Sequence, residues 1–349
     1  KFMINKTVEI FRKDVASGLK GMNVGIPGGL PKLDKKIKNI QKGKVYSYVA
    51  SPKAGKTAFV LWRHIFVPWI QGVRNVKWVL YSLELDSSQI LARLISMWFK
   101  AVKGIIINSN KVLGIGNELM SEDEQKMLEE CMETFINPLC EKLAIITDKH
   151  ESMPTAIHKA ALSYASANGQ FVTEEYSVDG EKRSRRVGYI PNNPDENVTL
   201  IIDTLGLMKR ERGFNKKENI DKWLEDYCIE LRNICKYTII NVHHLNRTIS
   251  STDRKKFSGM DLQPELDDIK DTSALGESSD MVLAIFNPNT YKHISEHLGH
   301  ELCHYNGNYR SVHVLASRFT ESFINVPLEY DGDTGIWREL DRIGDSIQF

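Results

Sequence analysis

The chain has 349 residues, of which 42% are hydrophobic and 26% charged, enough to bury a full core, and this excludes disordered and fibrous classes. Lysine plus arginine number 46 and aspartate plus glutamate 45, so a net charge of +1 neither demands nor forbids a nucleic-acid partner, and any such contact has to be local. Five cysteines with no C-x-x-C spacing suit free thiols in the cytoplasm; no apolar run approaches the ~20 residues of a membrane span, and the first six residues lack a signal core.

In chain order, residues 1–21 read as a short amphipathic arm with Val8, Ile10, Phe11 and Val15 apolar, followed by a Gly/Pro-rich segment up to Pro31. Residues 22–349 read as one α/β domain. Apolar strands are expected at 45–49, 76–83, 143–147, 198–202, 238–242 and 281–286, alternating with helical patterns. Such alternation predicts a mostly parallel sheet sandwiched by helices. The clearest helix is 218–236, where Ile220, Leu224, Tyr227, Leu231 and Ile234 step along one face. Three segments break the rhythm. Residues 169–197 read as an inserted hairpin turning at Asp179-Gly180, with the basic cluster Lys182–Arg186 as a solvated face. Residues 246–272 form a long polar loop, and residues 288–310 a His-rich insertion before the last strands.

The chemistry concentrates where the strand at 45–49 runs into Ala50-Ser51-Pro52-Lys53-Ala54-Gly55-Lys56-Thr57 and then into a helical pattern. A loop in this context aims successive backbone N–H groups and a helix N-terminus at one anionic site, which points to a nucleoside triphosphate. Lys56 is expected on the β/γ-phosphates, Thr57 on Mg²⁺, and Gly55 where the backbone approaches closely. Ala50 stands where the general pattern opens with Gly, so its φ is not freely positive. Two carboxylates end neighbouring strands, Glu84 and Asp203. In an open parallel sheet both reach the ligand crevice, Asp203 toward the metal and Glu84 toward the attacking water.

These pieces resemble the RecA-like ATPase domain of the DnaB-type replicative helicases and their phage helicase-primase relatives. Gly25-Ile-Pro-Gly-Gly-Leu-Pro-Lys-Leu-Asp34 is similar to the family's approach to the first strand, and residues 50–57 resemble its A-R-P-x-x-G-K-T loop, including the opening Ala. Tyr81-Ser-Leu-Glu-Leu85 resembles F-S-L-E-M, and residues 200–208 resemble I-x-I-D-Y-L-Q-L-M. Val242-His-His-Leu-Asn-Arg247 resembles S-Q-L-N-R, Asp271–Leu275 with Ser279-Asp280 is similar to the segment before the next core strand, and Val314–Thr320 resembles the phage L-K-C-R-F-T. The resemblance implies a ring, a hexamer, with ATP·Mg²⁺ between subunits, single-stranded DNA in its channel, and a primase or loader as a further partner. It implies a catalytic role for Glu84, a γ-phosphate sensor at His244 and an arginine finger at Arg318 acting on the neighbour. DNA contacts then fall on the loop bearing Arg247, Arg254, Lys255 and Lys256. Where the family carries Lys two residues before the finger this chain has Ala316, which predicts slower or differently regulated hydrolysis.

Two other readings of the same ATPase are a DNA-binding protein that does not unwind, recombinase-like or a loader, and a structural ring subunit. A remote alternative is a zinc-dependent hydrolase, because His300-Glu301-Leu-Cys-His304 matches H-E-x-x-H, with His297 and Cys303 close by. Gly299 before it and Asn306-Gly307-Asn308 after it leave room for about two helical turns, and a plain polar helix is expected there.

Overall fold

The computed structural model describes residues 8, 11–12, 15–16, 18–19, 21, 23–246 and 262–341. Its centre is a nine-stranded sheet in the order β13-β12-β11-β8-β1-β7-β6-β2-β3. The strands are β1 (Val45–Ala50), β2 (Val76–Ser82), β3 (Leu143–Ile146), β6 (Asn197–Asp203), β7 (Thr238–His244), β8 (Met281–Phe286), β11 (Tyr309–Ser317), β12 (Asn325–Tyr330) and β13 (Trp337–Glu339). All pairings from β3 across to β8 are parallel. β11, β12 and β13 extend the sheet antiparallel. The apolar runs predict the six parallel strands to within two residues at each end, since strands covered on both faces lack the polar alternation that blurs an edge strand.

β1 shows how the faces are filled. Tyr46, Tyr48 and Ala50 point into one core with Phe59, Trp62 and Trp78, whereas Val45 and Val49 point into the other with Ile202, Trp223 and Leu224. This is the period-two alternation of a pleated strand, both sides being apolar. The helices that cover the sheet are α1 (Pro31–Ile37), α2 (Lys56–Leu61, continued through Trp62–Phe66 and Val67–Ile70), α3 (Ser87–Trp98), α4 (Glu122–Cys131), α5 (Pro154–Ala167) and α6 (Lys216–Asp221, continued through to Cys235). α3, α4 and α6 each start with a reciprocal side-chain cap, Asp86 with Gln89, Ser121 with Glu124 and Asn215 with Glu218. The last of these starts the helix at Lys216, two residues before the predicted start at 218 and four before Ile220, the first residue of its apolar stripe.

One buried ion pair fixes the approach to β1. Asp34 accepts the Gly28 and Leu30 N–H groups at 2.8 and 3.2 Å and an Arg63 Nη2–H at 2.6 Å. Arg63 is fully buried and sits on α2, so the Gly/Pro-rich segment is tied to the helix that follows the phosphate loop.

The hairpin expected at 169–197 is β4 (Gly169–Val178) and β5 (Glu181–Pro191), joined by Asp179-Gly180, both at positive φ. The Lys182–Arg186 cluster is exposed along it. The His-rich insertion departs from expectation. Leu298 and Gly299 take positive φ, and β9 (Glu296–His297) pairs back on β10 (His300–Glu301), followed by one tight turn at Leu302–Tyr305. The polar helix expected over 300–304 does not form, because the chain reverses at Leu298-Gly299 and spends His300 and Glu301 on a ladder. Of the arm, the described positions are helical apart from the turn at Gly21. Val8, Phe11, Val15 and Leu19 recur at spacings of three, four and four residues and are exposed, Leu19 by 86%. No helix among the described residues is long and apolar enough to cross a membrane.

Candidate nucleotide site

The parallel strands deliver their carboxyl ends to one edge. Ser82, Asp203 and Val242 lie in register across β2, β6 and β7, and Ala50, His244 and Ile285 lie in register across β1, β7 and β8. Ala50 ends β1 as an ordinary extended residue, so the missing glycine costs nothing. The left-handed conformations fall instead at Lys53 (φ 63°) and Gly55 (φ 96°). Gly55 is needed twice over, because a Cβ there would also lie 2.9 Å from the Trp337 ring. Lys56 and Thr57 open α2 immediately after it. Ser51, Pro52 and Ala54 complete the loop, and the Ala54 N–H donates to the Ser51 carbonyl at 3.3 Å.

Four of the predicted residues come together here. Lys56 Nζ, only 6% exposed, lies 3.7 Å from Glu84 Oε1, and His244 Nε2 lies 3.2 Å from the same oxygen. The hydrogen bond with His244, and then Lys56, hold the Glu84 carboxyl below its ordinary range in spite of partial burial. Glu84 is therefore ionised at neutral pH. Asp203 stands beside them under the opposite influence: burial pushes its carboxyl up to about 6, although the Thr57 hydroxyl and Lys56 pull it down. Its Oδ1 is buried without a hydrogen-bond partner. A buried carboxylate oxygen with no donor, next to a Thr hydroxyl, is the donor chemistry a hard divalent cation takes, so these residues fit Mg²⁺.

Arg318 is placed elsewhere. It follows β11, which runs antiparallel to β8, and its N–H donates to the Asp280 carbonyl at 2.9 Å. Asp280 in turn bonds Val45, the first residue of β1. Arg318 is exposed, with its guanidinium on the Glu277 carbonyl, and lies at the amino-terminal edge of the strand whose carboxyl end carries the phosphate loop. The six residues of β1 separate the two by roughly 17 Å. Arg247, Arg254, Lys255 and Lys256 lie outside the described residues. The zinc-hydrolase reading is corrected: His300 and His304 do not share a helix face. The His300 ring turns inward to the Tyr305 hydroxyl at 2.7 Å, while His304 is exposed.

Two features escaped the sequence reading. Arg310, the second residue of β11, donates from Nε to the Ala54 carbonyl at 3.2 Å and lies over the Tyr330 ring, so it braces the phosphate loop from the antiparallel side. No local motif announces it. The second is the basic segment Lys209-Arg210-Glu211-Arg212, which leaves the sheet just beyond Asp203. Glu211 anchors it, accepting from Thr155 N–H and Lys222 at 2.8 and 3.1 Å, and leaves Arg210 and Arg212 exposed. A basic run six residues beyond a strand-end aspartate was the available signal.

The sheet order, the loop and the acids at the strand ends define a RecA-like nucleotide-binding domain. Residues 25–325 match the DnaB-like helicase C-terminal domain family, and the chain belongs to it. Among solved structures, the ATPase domain of one DnaB-like replicative helicase is similar over 97% of this chain and 99% of its own, with a TM-score of 0.68 and 18% identity. Another DnaB-like replicative helicase, solved to show its interactions with primase, is similar over 97% of this chain and 71% of its own, again with a TM-score of 0.68 and 18% identity. At that identity these likenesses speak for the fold. No curated protein matches by sequence.

Proposed function

We propose that this chain is the motor of an ATP-driven, ring-forming helicase or translocase on single-stranded DNA that hydrolyses ATP at the boundary between subunits. The observation that carries the reading is the division of one catalytic set between opposite edges of the sheet: Lys56, Glu84, Asp203 and His244 at one, Arg318 at the other. A hexamer closes such a head-to-tail contact, and the exposed apolar positions of the arm suit packing on a second copy. Domain boundaries follow the same reading, with an arm at 1–21 and a motor at 22–349.

Within a site, the loop N–H groups and Lys56 hold the β- and γ-phosphates, and Thr57 and Asp203 hold Mg²⁺. When bound there, Mg²⁺ would supply positive charge to offset that of the phosphates. Glu84, kept ionised by His244 and Lys56, orients the attacking water and takes its proton at Oε1. His244 then reports the γ-phosphate to the segment beyond β7, since its carbonyl accepts the Lys270 N–H at 3.1 Å. Arg318 of a second copy stabilises the charge on the transferring phosphoryl group. Arg210 and Arg212, with Arg247, Arg254, Lys255 and Lys256, supply phosphate contacts to DNA. A primase or loader is the further partner expected in the cytoplasm of a replicating cell.

Ala316 favours the second reading, a DNA-binding ATPase that turns over slowly and does not unwind. ATPase rates with and without single-stranded DNA, beside forked-duplex unwinding, separate the two. Stimulation without unwinding selects the second, and neither response removes both. Action between subunits is tested by mixing Arg318→Ala with Glu84→Gln chains, each inactive alone. The mixture regains activity where an intact Glu84 meets an intact Arg318; a mixture as inactive as its parts ends the boundary-site reading.

A further inference from the structure

The His-rich insertion between β8 and β11 carries a group of metal-ligating side chains that the ATPase reading does not use. Its interior is a small apolar core in which Tyr291, Ile294 and Leu302 pack with Phe286 and Tyr309. The inward histidines belong to that interior, His297 bonding Ser311 Oγ at 3.0 Å and His300 bonding Tyr305. The outward side chains behave differently. A Glu301 carboxylate oxygen, the Cys303 sulfur and a His304 ring nitrogen lie within 4.8 Å of one another, all exposed. Glu296 stands directly opposite Glu301 in the β9–β10 ladder. Like charges so paired are unfavourable unless a cation lies between or beside them.

We propose that Glu301, Cys303 and His304 bind a borderline transition-metal ion of the Zn²⁺ class, with water completing the coordination. Mixed sulfur, nitrogen and oxygen donors select such an ion over Mg²⁺ or Ca²⁺. Ligand bonds of about 2.0–2.3 Å bring the three donor atoms closer than they now stand, by a movement that rotation of exposed side chains supplies. The turn that carries them is already built, because Leu302 anchors it in the apolar core and its N–H donates to the Ser295 carbonyl at 2.9 Å. Binding releases the Cys303 thiol proton to solvent, so affinity rises with pH. It also clamps the tight turn to the β9–β10 ladder. The turn continues to Gly307, whose carbonyl accepts from Arg310 at 2.7 Å, and Arg310 reaches the phosphate loop.

The test uses the full chain, reduced, freed of metal by chelation and carrying no histidine tag, titrated with Co²⁺. The expected result is one Co²⁺ per chain with a thiolate-to-metal charge-transfer band that Zn²⁺ abolishes by displacement. Cys303→Ser removes the band, His304→Ala and Glu301→Gln each weaken binding roughly tenfold or more, and Cys140→Ser leaves it unchanged. The proposal is overturned if no band appears, if the band survives Cys303→Ser, or if His304→Ala and Glu301→Gln bind Co²⁺ as tightly as the parent.

Discussion

Asp203→Asn isolates the electrostatic tension built into the nucleotide site. The carboxyl is buried at the end of β6, and its pKa stands at about 6 against 3.8 in the unfolded chain, burial being the main cause and Glu84 adding to it. The folded state therefore holds this proton more tightly than the unfolded state does. The folded value is the raised one, so stability is greatest below about pH 4 and falls as pH rises through the window from about 4 to 6. Above it the full cost remains, about 3 kcal/mol from the conversion of pKa difference to free energy. Asparagine carries no charge and feels none of this. With Mg²⁺ and nucleotide removed by chelator and dialysis, Asp203→Asn is expected to match the parent near pH 4 and to exceed it by up to about 3 kcal/mol above pH 6. Urea unfolding of both chains across that range measures the difference, and subtracting one from the other cancels every group they share. A difference that stays flat with pH, or a variant less stable than the parent at neutral pH, would refute the argument. The same substitution removes the charge proposed to hold Mg²⁺, so a more stable chain without turnover is the combined expectation.

Glu84→Gln removes the proton acceptor and is expected to lower turnover by about 10²–10⁴-fold, while binding of a fluorescent ATP analogue survives because Lys56 is left to the phosphates. Gly55→Ala places a Cβ at φ 96° and 2.9 Å from Trp337; thermal unfolding is expected to show a loss of about 1–3 kcal/mol, with weaker nucleotide binding. Asp34→Ala strands the Arg63 charge in the core and should cost about 3–5 kcal/mol in urea unfolding, whereas Asp341→Ala, at an exposed pair with Lys32, should leave the unfolding midpoint close to that of the parent. Ala316→Lys puts a second cation two residues before Arg318 and is expected to raise turnover in assembled protein about tenfold without changing it in dilute, dissociated protein.

The parallel half of the sheet was legible because five of its six strands are largely buried on both faces and so spell a nearly unbroken apolar run, while β3, at the edge, is a short apolar run with Ala144 exposed. The phosphate loop was legible because its chemistry is local: eight consecutive residues contain the whole device. Asp34 could be noticed but not explained from sequence, since its meaning lies in Arg63, 29 residues away. Arg310 was invisible for the same reason in stronger form, its contact with Ala54 spanning 256 residues. The H-E-x-x-H match misled because spacing alone presumes a helix, and the reversal at Leu298-Gly299 turns the same five residues into a ladder and a tight turn. β12 and β13 belong to the last strands expected after residue 310 but carried no bounds there; β13 is only three residues long and stands at the edge of the sheet, where side-chain patterning is weakest.

The position of Arg318 constrains mechanism more tightly than any motif does. Moving it to the phosphates of its own chain would require it to pass the length of β1, a strand whose six residues are all buried and hydrogen-bonded on both sides. No rotation of an arginine side chain, which reaches about 7 Å from its Cα, spans that distance. Shifting β11 along β8 would do so only by breaking the ladder that holds Ser317 opposite Met281 and the bond from Arg318 to Asp280. Within one copy, then, this guanidinium has no access to the phosphate loop. A head-to-tail neighbour, as proposed, would place the Arg318 of its amino-terminal sheet edge against this carboxyl edge without disturbing either sheet. Such a contact repeats, because the edges it joins are different, and a repeating heterologous contact closes into a ring when its rotation divides a full turn. Hydrolysis would then depend on the contact between copies, which lets strain at one boundary be felt at the next.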